Sequence, residues 1–106
     1  MPRYMFKVSY SADGAVGLRD HGGVARKEAI SAMFERMGGA LESFDYSLGE
    51  EDAYLVAELP GAEAVAAMSI TVAAGRGARV TSHELLTPEQ LDHALEADVV
   101  YAAPGG

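Results

Sequence analysis

The chain has 106 residues, 49% of them hydrophobic and 23% charged, with a formal net charge of −8 and no cysteine. That is enough for one globular core and too little for two. The acidic balance argues against nucleic acid or an anionic membrane surface as partner, since both need clustered Lys and Arg, and the missing cysteines remove disulfides, thiolate nucleophiles and thiolate-held metal clusters.

The opening MPRYMFKVSY lacks the apolar stretch and small-residue cleavage site of a signal peptide. No apolar run reaches the roughly 18 residues of a membrane span. The expected location is the cytoplasm.

Residues 3–10 alternate, with Tyr4, Phe6, Val8 and Tyr10 on one side and Met5, Lys7 and Ser9 on the other, which predicts a half-buried strand. The glycine-rich stretch SYSADGAVGLRDHGGVAR follows and reads mostly as a corner. A helix comes next, whose stripe of Ile30, Met33, Phe34 and Met37 has the i, i+3, i+4, i+7 spacing and stops at Gly38-Gly39. Strands are predicted over about 40–48 and 53–59, joined by a GEED hairpin in which Gly49 takes positive φ. Pro60-Gly61 breaks the strand, and an alanine-rich helix from Ala62 to about Ala74 should bury Val65, Met68 and Val72. Gly75 and Gly77 release it into a fourth strand, about 78–86. The segment TPEQLDHAL then starts a short helix, with Thr87 as N-cap, Pro88 at N1 and Gln90 at N3 forming a capping box. Val99, Val100 and Tyr101 are expected to add a last extended contact.

The order is β-α-β-β-α-β plus a short helix, which predicts an α+β, ferredoxin-like fold. One domain covers residues 1–98, and 99–106 form a loose tail. Two helices cover one face of such a sheet and leave the other bare. Pairing two copies sheet to sheet across a two-fold axis meets that need, so a homodimer is expected.

The segments SYSADGAVGL, GGVARKEA and MGGALESF, with the hairpin from Gly49 to Asp52, resemble the GYD-domain family of small bacterial proteins. The resemblance runs from residue 2 to about 95. It implies a ferredoxin-like fold that pairs as a dimeric α/β barrel, with no generally established activity. One position departs: Gly49 and Asp52 match the name-giving motif, but Glu51 stands where the motif has tyrosine.

The chemistry-bearing residues give no familiar active-site pattern. Gly17 and Gly22 have P-loop spacing, but Gly23-Val24 stand where Lys and Ser/Thr belong. Gly14, Gly17, Gly22 and Gly23 are read as backbone devices, the alternative being an anion loop helped by Arg19 or Arg26. His21, His83 and His93 lack the spacing of a metal set, and Glu50, Glu51 and Asp52 lack that of a calcium loop. No metal or other cofactor is expected, and no catalytic residue is assigned. Met5, Met33, Met37 and Met68 are read as core filling. Lys7, Ser9, Tyr54 and His83 fall on the predicted sheet face that the helices leave bare. They are the candidate residues for binding a small molecule at the dimer interface, with acid–base catalysis as a further possibility. The alternatives are an ordinary polar dimer interface, in which Lys7 pairs with Glu58 or Asp45, and a non-catalytic dimerisation or partner-interaction module.

Overall fold

The computed structural model describes residues 1–105. The elements run β1 (Arg3–Tyr10), α1 (Ala12–His21), α2 (Gly23–Arg36), β2 (Ala40–Tyr46), β3 (Ala53–Glu58), α3 (Ala62–Ala74), β4 (Ala78–Leu85) and α4 (Pro88–Ala94). The four strands form one antiparallel sheet of order β2-β3-β1-β4, an α+β arrangement compatible with the ferredoxin-like plan. No helix among the described residues is long and apolar enough to cross a membrane.

Alternation along β1 decides the layers. Tyr4, Phe6 and Val8 are buried with Ala53, Leu55 and Ala57 of β3. Cross-strand partners share a face, so one face of the sheet becomes the floor of the core. Phe34 of α2 stacks on Phe6 with ring centroids 5.6 Å apart, and Val65 and Met68 of α3 close the other half. Ile30, Met33, Met37 and Val72 pack against this cluster, as the helical stripes predict. Met5 is the exception among the four methionines read as core filling: it pairs with Val56 and His83 on the opposite face and fills no core.

The glycine-rich stretch after β1 is a helix rather than a loop. Ser11 caps it: the Gly14 N–H donates to Ser11 Oγ at 3.1 Å, and that hydroxyl donates to the Arg76 carbonyl at 2.6 Å. With the first turn held, Ala12, Ala15 and Leu18 carry the helix through two glycines whose entropic cost is modest. Gly14 is required by proximity, since a Cβ there would stand 1.9 Å from the Gly77 carbonyl oxygen. Only Gly22, at φ 88°, turns a corner, between α1 and α2.

One other turn expectation is corrected. Gly49 is not in the left-handed region; the hairpin is closed instead by Ser47 N–H to the Asp52 carbonyl at 2.9 Å. At the end of α3 the left-handed residue is Arg76, φ 62°, rather than a flanking glycine. Gly38, φ 83°, does end α2 as expected. The capping box of α4 is present, with Gln90 N–H to Thr87 Oγ1 at 3.0 Å and Thr87 N–H to Gln90 Oε1 at 2.8 Å. Val99, Val100 and Tyr101 join no strand and are exposed.

Candidate functional site

The sheet face away from α2 and α3 holds no buried side chain from β1, β3 or β4. Its layout follows from the strand registers. Lys7 lies opposite Tyr54 on one side and Thr81 on the other, and Asp45 continues the row beyond Tyr54. The next row runs Ser43, Val56, Met5, His83. Ser9 and Arg79 form a row above. Thus Lys7, Ser9, Tyr54 and His83 do share one face, with Lys7 at the centre and His83 diagonal to it across the β1–β4 pair. Lys7, Ser9 and Tyr54 are half-buried among their neighbours, and His83 is exposed.

The charges on this face divide. Asp45 and Glu58 belong to the β2–β3 side, and Lys7, Arg79 and His83 to the β1–β4 side. Lys7 has no carboxylate within ion-pair distance among the described residues, so a pairing with Glu58 or Asp45 is not made within one chain. The acid that does engage is Glu42, which takes Arg3 at 2.7 Å from the β-bulge between Leu41 and Ser43. That partner and Glu58 hold the Arg3 guanidinium in its charged form, raising its pKa.

Sequence reasoning missed Glu51. Ser9 Oγ donates to Glu51 Oε2 at 2.6 Å, so the residue standing in the tyrosine position of the motif brings a carboxylate to the rim of this face. Its neighbour Asp52 anchors the hairpin: Tyr10 N–H donates to Asp52 Oδ2 at 2.8 Å, and Asp52 N–H donates to the Val8 carbonyl at 2.9 Å. These contacts join residues 42 to 44 positions apart, and no local spacing announces them.

A second feature was also unannounced. On the helix side, α1, α2 and the end of α3 leave a cleft of about 580 Å³. Small residues keep it open: Gly14, Gly17, Ala25, Ala29, Gly75 and Gly77. Tyr10, His21, Arg26 and Thr71 supply its polar groups. Two of them are engaged: His21 Nδ1 lies 3.0 Å from the Gly17 carbonyl, and Thr71 Oγ1 donates to the Ala67 carbonyl at 2.7 Å. Burial pushes the Tyr10 phenol above its ordinary pKa, against the opposing pull of Arg26. Burial likewise raises Tyr46, helped by Tyr10, and its hydroxyl donates to the Gly23 carbonyl at 2.9 Å. Arg26 has no carboxylate partner among the described residues.

The three histidines stand on three different elements, α1, β4 and α4. No cluster of three or more His, Cys, Asp or Glu side chains fit to hold a metal occurs among the described residues.

Fold and site together define a small α+β protein built on one open-faced antiparallel sheet. The model of the GYD domain matches residues 4–95, so the chain belongs to the GYD domain family. No curated protein and no solved structure matches it.

Proposed function

We propose that the protein is a cytoplasmic homodimer that binds a small molecule in a chamber formed when two copies bring their open sheet faces together. Lys7, Ser9, Tyr54 and His83 form its wall. The observation that carries this reading is the convergence of those four side chains, by strand register, on a face that no helix covers. An ammonium, two hydroxyls and an imidazole suit a polar or anionic ligand. Lys7 and His83 are also the groups fit to give and take a proton, which is the acid–base part of the proposal.

The split of charge supports face-to-face pairing. A two-fold axis parallel to the strands sets the β2 side of one sheet over the β4 side of the other. Acidic Asp45 and Glu58 then meet the basic side carrying Arg79 and Lys7, and complementary charge fixes the register of such contacts.

Native mass spectrometry of the gently purified protein tests the reading. The expected result is a dimer that retains a small-molecule mass, with Lys7→Ala keeping the dimer and losing the adduct. A bare dimer favours the dimerisation-module alternative, and a single chain overturns both. The volume of the helix-side cleft supports a second reading, in which Arg26 holds the ligand. Loss of the adduct in Arg26→Ala but not in Lys7→Ala would select it.

A further inference from the structure

We infer that residues 86–105 are an exchange arm, which leaves its own chain and packs on the second copy. The inference rests on the dimer proposed above and adds the segment that completes its interface.

The first observation is shape. The Cα radius of gyration is 17.0 Å, against about 13 Å for a compact domain of this length. The principal extents of 56 × 34 × 24 Å show where the excess lies along one axis. Every residue of α4, and every described residue after it, is exposed. This segment therefore adds length and contributes nothing to its own core.

The second observation is chemistry. Leu86, Leu91, Leu95, Val99, Val100 and Tyr101 are all large, apolar and exposed, Val100 to 92%. Scattered apolar residues on a surface are ordinary, but six exposed within 16 positions are a concentration of the kind found at interaction surfaces. Leu91 and Leu95 lie four apart, on one side of the helical turn. The capping box at Thr87 and Gln90 fixes where that turn starts, so the segment begins on a structured element and is more than a frayed end.

The third observation is area. Strands of up to eight residues in a four-strand sheet give a face of about 26 by 19 Å, or roughly 500 Å², at standard rise and spacing. A stable pairing buries about 800 Å² per partner. An apolar arm laid beside the face adds to the accessible area that such a pairing buries. The arm is continuous with that face, because Leu85, its last strand residue, lies opposite Arg3 on the open side. Glu89, Asp92, Glu96 and Asp98 along the arm oppose an anionic membrane as the covering surface, and the continuity with the open face makes a second copy the occupant.

The test compares the intact chain with a full-length variant carrying Leu91→Ser, Leu95→Ser, Val100→Ser and Tyr101→Ser. None of these side chains is in the core, so near-ultraviolet circular dichroism should show the same fold. Sedimentation equilibrium should find the intact chain dimeric, and the variant's dissociation constant raised by about 100-fold or more. A photoreactive side chain in place of Tyr101 should link two chains into one species of doubled mass. If the intact chain is a dimer, the variant pairs as tightly and the cross-link stays within one chain, the arm inference is overturned while the open-face dimer stands. If the intact chain sediments as a single subunit throughout, the dimer reading and the arm fall together.

Discussion

The two faces of this sheet are built from alternate residues of the same strands and have opposite fates. Tyr4, Phe6 and Val8 vanish under α2 and α3, whereas Met5, Lys7 and Ser9, one position along, meet no helix. The covered face is apolar and closely packed, and its residues are accounted for by stability. The bare face carries two opposed groups of charge, a lysine without an acid partner and a serine bonded to a distant glutamate. Core packing does not require that composition. The contrast teaches that the fold is specified on one side of the sheet, and that function is to be sought on the other.

Substitutions sharpen the contrast. Phe34→Ala, which removes a fully buried ring stacked on Phe6, should cost about 4 kcal/mol in urea unfolding. Lys7→Ala should stay within about 0.5 kcal/mol of the parent when the subunit is measured alone. Equal losses would erase the distinction between the faces. The glycines separate in the same way. Gly39→Ala puts a Cβ 2.0 Å from the Glu58 carbonyl oxygen and should cost about 2 kcal/mol. Gly17→Ala meets nothing within 4 Å and should gain about 0.5 kcal/mol from helix propensity.

Arg76 holds a left-handed φ of 62°, so Arg76→Gly should raise stability by about 1 kcal/mol. A smaller effect belongs to pH. Burial raises the pKa of Tyr10 and Tyr46 in the folded state, so the native protein holds these protons more tightly than the unfolded chain. That stability is fully present below the ordinary tyrosine value of about 10 and is lost as pH rises through the folded values. Tyr10→Phe should flatten the alkaline limb of a stability–pH curve, and an unchanged limb would show that the phenol is not sequestered.

Much of the fold was legible because its signals are local. The alternation of β1, the stripe ending at Met37, the alanine-rich helix and the Thr87 capping box each need only neighbouring residues. The α1 helix was not legible, since Gly14 and Gly17 lower propensity and the contacts that rescue it, from Ser11 to Arg76 and from Gly14 to Gly77, span more than 60 positions. Parity along three strands sufficed to group Lys7, Ser9, Tyr54 and His83. The bond from Ser9 to Glu51 and the cleft around Arg26 arise from how a hairpin and three helices dock, and no spacing within one segment encodes them.

The chain's two lysines allow the central claim to be measured within one molecule. Lys7 sits on the bare face and Lys27 on the exposed side of α2, so acetylation of each, followed by mass spectrometry as protein concentration rises, reports coverage with an internal control. Progressive protection of Lys7 at a constant Lys27 rate is the result predicted here. Two lysines that react in an unchanging ratio at every concentration would contradict it.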